Sequence, residues 1–361
     1  MDYQSRIDSL RHILASQELD ALLVSYLPNI FYLSGFTGTT AWLLIGDQQL
    51  LFLTDSRYHE RFRQEVHPEY ELVDFYQDTV GNRLAELAKQ FGWRKAGFEG
   101  QHVSYADAEE MKRQTPGCEL VALSGLIEGM RLCKEPDELA LIREAVCMVE
   151  EVFQELTSVV TSGVTEADLA AEFEYRIRKR GVRAASFSPI IAFGPNSAKP
   201  HAGFSDQELV PGVPLTFDLG VVFNGYCSDM TRTVFHGGVS HGWEKLYGIV
   251  RNAKEVAASA VGPGVACAEV DRVAREVIAS AGYGSNFGHG LGHGVGVEVH
   301  ERPRVNKRSD EALQPGMVFT IEPGIYLPGQ GGIRIEDMYL VTAEGVERLN
   351  HLGNEIMVIN K

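Results

Sequence analysis

Two aspartates, Asp218 and Asp229, flank an Asn224-Gly225 dipeptide in an otherwise apolar stretch. Asn-Gly is the strongest short-range hairpin signal, because both residues accept the positive φ of a type I′ turn. A hairpin closed there pairs residues 219–222 with 227–231 and places Asp218 opposite Thr231, with both aspartates on one face. Two carboxylates this close repel each other unless a cation lies between them. The hairpin alone leaves two interpretations open, solvated edge residues or a metal site.

A second carboxylate pair follows closer to the C-terminus. Glu322 and Glu336 each lie within an apolar stretch predicted as a strand, on either side of a turn predicted at residues 329–332. Isolated buried carboxylates are costly, and Arg334 can offset only part of that charge. The sequence therefore predicts paired glutamates on this hairpin, as it predicts paired aspartates on the first.

A glycine-rich run at residues 288–296, GHGLGHGVG, contains His289 and His293. No frame gives GxGxxG and no GK[ST] follows, so neither phosphate-binding motif is present. Such glycines are typical of backbone that approaches closely around a histidine side chain. Alternating valines then predict a strand over residues 295–300 that ends at His300. A single histidine on a strand is more often an ordinary packed or surface residue than a ligand. With two histidines here and the paired aspartates elsewhere in the chain, both interpretations remain open.

Four carboxylates and one imidazole on two hairpins would form a mainly oxygen-donor site. That donor set suits Mn²⁺ or another hard-to-borderline divalent ion better than a structural zinc. Two dications balance four negative charges better than one. Such a pair can generate hydroxide at neutral pH and polarise a carbonyl.

Length and composition limit the domain organisation and the kinds of partner that remain possible. The 361 residues are enough for one large domain or two ordinary ones, and a formal charge of −16 argues against a nucleic-acid partner. We expect no secretory signal and no membrane span. The five cysteines are scattered without CxxC spacing, which favours reduced thiols and a cytoplasmic location.

The elements that must position the carboxylates fall into two regions. The first third alternates short apolar strands with helices and lacks a cluster of titratable residues, which predicts a packed accessory α/β domain. Pro136 with its flanking acids then predicts the start of a long helix. Beyond it the pattern helix, helix, strands occurs twice, which suggests an internal duplication.

The motifs as a set resemble a known family. The carboxylates and His293, within FDLG, SDMTRT, GHGLGHGVG, IEPG and RIED, resemble the five metal ligands of the pita-bread metallopeptidases, and most of all the Xaa-Pro peptidases of the M24 type. Residues 29–38 resemble the opening of that family's creatinase-like N-terminal domain. The resemblance implies an α/β creatinase-like domain over residues 1–130. It implies an α+β pita-bread catalytic domain with pseudo-twofold duplication over residues 131–361.

The resemblance also implies a role for each metal ligand. Asp229 and Glu336 would bridge two divalent ions. Asp218 would complete the coordination of one ion, and His293 and Glu322 would complete that of the other. A hydroxide would attack the carbonyl preceding proline, with Glu322 handling its proton.

Other side chains of the motifs would act around the ions. His201 in KPH and His300 in VHE match the family's two non-ligand histidines, which would orient the substrate and stabilise its oxyanion. Thr231 and Arg334 would hold the carboxylates in place. Arg304 resembles the arginine that prolidases carry beyond the second histidine, where it would bind the free carboxylate of a dipeptide.

The function predicted from these residues is an Xaa-Pro dipeptidase. An Xaa-Pro aminopeptidase acting on longer peptides is the alternative, and a non-catalytic peptidase-like binding module is less favoured because none of the five ligands is lost. Two other proteins of this fold fit the chain less well: methionine aminopeptidases lack the N-terminal domain, and creatinase lacks the metal ligands. We expect Mn²⁺, with Co²⁺, Zn²⁺ or Fe²⁺ also compatible, and a homodimer without nucleic-acid or membrane partners.

Overall fold

The computed structural model describes residues 1–75 and 78–359, and the chain divides into two compact units, Met1–Arg131 and Leu132–Lys361. In the first unit the described strands are β1 (Ala21–Val24), β2 (Trp42–Gly46), β3 (Leu50–Thr54), β4 (Glu71–Asp74), β5 (Lys95–Glu99) and β6 (Glu119–Leu123). The described helices are α1 (Tyr3–Ser16), α2 (Leu27–Ser34), α3 (His59–Glu65), α4 (Val80–Phe91), α5 (Tyr105–Gln114) and α6 (Leu126–Met130).

The strands of the first unit form one mixed sheet in the order β4-β3-β2-β1-β5-β6. Side chains of β1 alternate between two apolar clusters, because successive residues of a strand point to opposite faces. Leu22 belongs to the cluster that includes Leu10 of α1, and Leu23 to the cluster that includes Leu84 of α4. The sheet is therefore covered on both faces, as the alternating sequence pattern predicts.

The second unit contains two successive blocks of two helices followed by strands. The first block has α7 (Pro136–Thr157), α8 (Glu166–Lys179), β7 (Ala184–Ala185), β8 (Ile190–Phe193), β9 (Pro214–Leu219), β10 (Val221–Phe223), β11 (Tyr226–Cys227) and β12 (Met230–His236). The second has α9 (His241–Ser259), α10 (Cys267–Ser280), β13 (Gly292–Gly294), β14 (Glu301–Val305), β15 (Val318–Ile321), β16 (Gly324–Leu327), β17 (Gly331–Arg334), β18 (Asp337–Val341), β19 (Val346–Arg348) and, near the C-terminus, β20 (Met357–Ile359).

The helices of each block pack on a separate sheet, and the sheet of the first block also includes the C-terminal strand β20. Apolar residues of α7 and α8, including Phe153 and Phe173, form one core with the sheet β20-β12-β9-β8. Residues of α9 and α10, including Val250 and Ala274, form another with the sheet β14-β13-β15-β18-β19. The repeated arrangement confirms the predicted order of helix, helix and strands. Within the described residues, no helix is long and apolar enough to cross a bilayer.

The first predicted hairpin has the expected register. Thr231 pairs with Asp218 and Val222 with Cys227, while Asn224 and Gly225 both have positive φ, 45° and 87°. The ladder is interrupted at Gly220, where a Cβ would lie only 2.2 Å from the carbonyl oxygen of Ser228. The prediction of the turn and pairing is thus confirmed, with one break in each strand.

The prediction of a strand over residues 295–300 is wrong. The register shifts between His293 and Gly294, β13 ends at Gly294, and the next strand starts only at Glu301. The amide of Gly296 bonds to the carbonyl of Glu298 at 3.0 Å, which closes a turn in between. The alternating valines therefore lie in a bulge and a turn. Gly294 and Gly296 permit this packing because a Cβ at either position would lie within 2.2 Å of Arg302 or Glu301, and the apolar pattern does not reveal such contacts.

Candidate metal centre

A cavity of about 410 Å³ lies in the second unit, and most of the predicted site residues line it. Those that line it are Asp218, Asp229, His293, Glu322, Glu336, His201, His300, Arg304 and Arg334. Thr231 does not line the cavity, but it is fully buried and its hydroxyl donates to Glu336 at 2.6 Å. All ten side chains named from the sequence are therefore in this region.

Two hairpins bring the four carboxylates together. Asp218 lies near the end of β9, and Asp229 directly precedes β12. Glu322 and Glu336 lie at breaks in the second hairpin, between β15 and β16 and between β17 and β18, and not inside strands as the sequence predicts. The pairing on both sides of these breaks, Ile321 with Asp337 and Gly324 with Arg334, follows one register, which places the two glutamates opposite each other. Pro323 after Glu322 cannot donate to the ladder, which accounts for the break.

His293 completes a compact group of donor atoms. Asp229, His293 and Glu336 offer ligand atoms that all lie within 4.8 Å of one another. His293 Nε2 lies 3.5 Å from both Asp229 Oδ2 and Glu322 Oε1. His293 Nδ1 lies 3.2 Å from the carbonyl of Gly294, which can only accept, so Nδ1 carries the proton and Nε2 presents a lone pair to the two carboxylates. Burial and the neighbouring His300 lower the pKa of His293 to about 4, which favours this neutral form.

The surroundings of the four carboxylates disfavour their ionised forms. Burial and repulsion from Glu336 raise the pKa of Asp229 and of Glu322 well above the usual range. Burial and the charge of Asp218 raise the pKa of Glu336 to about 8. Burial also raises the pKa of Asp218, against the opposing effect of Arg334. This cluster of acceptors requires positive charge to remain ionised at neutral pH.

The guanidinium of Arg334 holds two of these carboxylates in place, one directly and one through Thr231. Arg334 Nη2 donates to Asp218 Oδ2 at 2.5 Å, and Nε donates to Thr231 Oγ1 at 3.1 Å. Since Thr231 in turn donates to Glu336 Oε2, both carboxylates have one oxygen engaged. Asp218 Oδ1 is buried without a hydrogen-bond partner. A buried acceptor left without a donor is the expected position for a cation.

The same network includes two residues that the sequence did not single out. Arg334 Nη1 donates to the Tyr326 hydroxyl at 2.9 Å, and that hydroxyl lies 2.9 Å from His289 Nε2. His289 Nδ1 lies 2.8 Å from the carbonyl of Gly290 and so carries the proton. The Tyr326 hydroxyl therefore donates to Nε2. His289 was visible in the glycine-rich run, whereas Tyr326 gave no local signal because its partners lie on other strands.

Two more histidines and an arginine face the solvent side of the cavity. His201 and His300 are exposed, and the His300 ring lies 4.2 Å from that of His293 between centroids. Burial, followed by the charges of His201 and Arg304, lowers the pKa of His300. Arg304 lies opposite His293 on β14. Phe187 and Asn306 also line the cavity and were not predicted.

The donor set fits divalent cations. It combines three buried carboxylates, the partly buried carboxylate of Glu322, and one imidazole nitrogen with its lone pair turned inward. One buried carboxylate oxygen in the set has no donor. Oxygen-rich coordination with a single nitrogen suits hard-to-borderline divalent ions. A site of this kind, open to solvent on one side and lined by histidines, can carry out metal-assisted hydrolysis.

Comparison with known proteins agrees with this geometry. Residues 140–343 match the model of metallopeptidase family M24, and residues 6–133 match that of the creatinase/prolidase N-terminal domain. An Xaa-Pro dipeptidase of Pyrococcus furiosus is 32% identical over 356 residues, covering 98% of this chain and 100% of that one.

Two solved structures are similar over nearly the full length. An Xaa-Pro dipeptidase from Bacillus anthracis has a TM-score of 0.94 and 35% identity, covering 99% of each chain. An X-Pro aminopeptidase from Thermotoga maritima has a TM-score of 0.91 and 33% identity, covering 98% of this chain and 100% of that one. With its creatinase-type N-terminal domain and its cluster of buried carboxylates, the chain belongs to metallopeptidase family M24 and is a metal-dependent peptidase.

Proposed function

We propose that this protein hydrolyses the peptide bond preceding proline in Xaa-Pro dipeptides, with two divalent cations bound at the carboxylate cluster. The observation that carries this proposal is the convergence of Asp229, His293 and Glu336 within 4.8 Å in a cavity that also contains Asp218 and Glu322. Relatives described as Xaa-Pro dipeptidases support the choice of substrate.

Two divalent ions would be held by five side chains, Asp218, Asp229, His293, Glu322 and Glu336. The ions would lower the pKa of an attacking water and polarise the scissile carbonyl. Glu322 accepts the proton of that water on a carboxylate oxygen and passes it towards the leaving proline nitrogen. Arg334 and Thr231 keep Asp218 and Glu336 oriented throughout, through the hydrogen bonds described above.

The exposed histidines act on the substrate. His201 and His300 line the cavity on its open side, where a ring N–H can donate to the carbonyl oxygen as negative charge develops on it. A donor placed for the charged oxygen stabilises the transition state more than the substrate. We therefore assign to these two residues a role in turnover and not in metal binding.

Arg304 is assigned to the free carboxylate of the substrate. It lines the same cavity as the proposed ligands and lies opposite His293 in the strand pair β13–β14. A dipeptide ends directly after proline, so its carboxylate lies a fixed distance from the scissile bond. A guanidinium that lines the cavity can bind this carboxylate through charge-assisted, bidentate hydrogen bonds.

Substrate length tests this assignment. Arg304→Ala should raise KM for alanylproline by roughly 10- to 100-fold, because one charge-assisted contact is lost. Hydrolysis of an Ala-Pro-Ala tripeptide by the same variant should change little. Steady-state kinetics of both substrates, with Arg308→Ala as the surface control, gives the comparison. Equal losses on both peptides would show that Arg304 supports the structure and does not bind the carboxylate.

A second candidate function is an Xaa-Pro aminopeptidase acting on longer peptides. The observation favouring it is the similarity to the Thermotoga maritima structure described as an X-Pro aminopeptidase. The parent enzyme separates the two: a dipeptidase hydrolyses alanylproline far faster than the tripeptide, and an aminopeptidase shows the opposite order.

The remaining assignments extend the same proposal. The domains are residues 1–130 and 131–361, supported by the division into compact units at Arg131 and by the two family matches. Mn²⁺ is the proposed ion, supported by the oxygen-rich donor set. A cytoplasmic location is supported by five free cysteines. A homodimer without nucleic-acid or membrane partners follows from the family resemblance and the charge of −16.

A further inference from the structure

Lys134 is a completely buried cation outside the metal centre. Its side chain is 0% exposed, and Nζ donates to Glu301 Oε1 at 2.7 Å, where the Glu301 side chain is 7% exposed. Nζ also donates to the carbonyl of Leu132 at 3.4 Å. The backbone is fixed as well, since the Lys134 amide donates to the carbonyl of Gly316 at 2.8 Å. The ammonium is thus a fixed point in the second unit.

Glu301 connects this fixed point to the turn that carries His300. It directly follows His300 in the chain and starts β14, and its carboxylate lies against the backbone of Gly296. A Cβ built on Gly296 would lie 2.2 Å from Glu301 Oε1. The amide of Cys227 holds the other side of Gly296 by donating to its carbonyl at 2.7 Å. The turn over residues 296–300 is therefore clamped between Glu301 and the first hairpin.

The orientation of His300 depends on this turn. His300 is exposed, and its ring lies over His293 at 4.2 Å between centroids. An exposed ring has little packing of its own to restrict it, so the backbone that carries it must be fixed from elsewhere. The buried pair beneath the turn can provide that restraint.

We propose that Lys134 is a positioning residue that acts through Glu301 to hold the 296–300 turn and so place the His300 imidazole over the metal centre. The inference rests on the role assigned to His300 in the proposed function. Removing the ammonium leaves the Glu301 carboxylate buried with less compensation, and the carboxylate then moves towards water and shifts the turn. A displacement of about 1 Å at a group that acts on the transition state can lower turnover by up to about 100-fold.

The test is a double-mutant cycle in the full-length protein. Lys134→Met, His300→Ala and the double variant are loaded with Mn²⁺ and assayed on alanylproline. We expect Lys134→Met to lower kcat roughly 10- to 100-fold in the parent and less than about 3-fold in the His300→Ala background, because the residue it positions is already absent. Bound Mn²⁺, measured by elemental analysis, should not change with Lys134→Met.

Equal fold losses in both backgrounds would overturn the inference, because a general structural role costs activity whether or not His300 is present. If His300→Ala itself retained full activity, the role of His300 in the proposed function would fail instead, so the two failures are distinct.

A milder variant and a control complete the design. Glu301→Gln keeps the size of the side chain and one acceptor oxygen while removing its charge. If Lys134→Met does not fold, Glu301→Gln replaces it in the same cycle. The same dependence on His300 is expected, and additive losses would count against the inference. Arg302→Met removes a neighbouring ion pair in which Arg302 is 49% exposed, and it should leave kcat unchanged.

Discussion

His293 presents an unprotonated nitrogen to two carboxylate oxygens 3.5 Å away, an arrangement that is unfavourable without a cation between them. The type and spacing of the ligand candidates were readable from the sequence, because each lies in a short motif. Tyr326 and Lys134 were not, because their partners are remote in sequence, such as Glu301 for Lys134. Local patterns predict residues that bind ions more readily than residues that orient other residues.

Two histidines of similar position should respond differently to truncation. His293→Ala removes a proposed ligand atom and should lower both bound Mn²⁺ and turnover. His300→Ala should keep the metal and lower kcat by roughly 100-fold, because it removes only a donor to the developing oxyanion. Metal titration followed by steady-state kinetics separates the two. Equal loss of metal in both variants would contradict the assigned roles.

At the scale of elements, the two hairpins differ in how well the sequence predicts them. The first was predicted in register because Asn224-Gly225 specifies its own turn. On the second, Glu322 and Glu336 lie at breaks in the ladder. Residues 295–300, predicted as a strand, form a turn that is held by contacts from Glu301 and Cys227. Alternation of apolar residues identifies exposed and buried faces, but it does not detect a turn fixed by distant groups.

The glycine-rich strand β13 offers a direct test of close backbone packing. A Cβ at Gly294 would lie 2.1 Å from the carbonyl oxygen of Arg302, whereas one at Gly288 would meet nothing within 4 Å. Gly294→Ala should therefore destabilise the protein by about 1–3 kcal/mol through overpacking. Gly288→Ala is the matched control and should be nearly neutral. Urea unfolding monitored by circular dichroism measures both, and equal midpoints for the two variants would contradict the close packing at β13.

At the scale of the whole molecule, the two blocks of the second unit each have a core and meet at the carboxylates. The amide of Glu336, from the second block, donates to the carbonyl of Thr231 in the first at 3.1 Å. The repeated order was readable from the sequence because each block has its own helical apolar faces. The meeting of the blocks at the carboxylates was expected as well, because the four carboxylates were predicted to form one site. The backbone contact between Glu336 and Thr231 was not predictable, because every residue carries these groups. Folding therefore brings together charges that repel each other when no cation is present.

The metal-free protein should lose stability as the pH rises from about 6.5 to about 8. In the folded state the pKa of Glu336 is raised from 4.5 to about 8, so the folded chain binds more protons than the unfolded chain in this range and is stabilised at the lower pH. The lowered pKa values of His289 and His293, about 4 against an ordinary 6.5, have the opposite effect, which is largest between pH 4 and 6.5 and fades as the pH rises above 6.5.

Urea unfolding of chelator-treated protein at the two pH values measures this effect. The midpoint should be lower at pH 8, and Mn²⁺ should restore it by binding the folded state alone. Glu336→Gln, which removes the titrating group, is the control and should depend less on pH. Identical midpoints for the metal-free parent protein at both pH values would contradict the repulsion inferred at the site.

The most direct test of the account is metal content and turnover in Asp229→Asn and Glu336→Gln, measured on the same preparations. Each substitution removes one negative charge from the proposed ligand set while keeping the size of the side chain. The parent protein should bind about two Mn²⁺ per chain and hydrolyse alanylproline. Both variants should keep their circular dichroism spectrum, bind less metal and lose activity by more than about 1,000-fold. Full metal content together with turnover within about tenfold of the parent would contradict the assignment of these carboxylates.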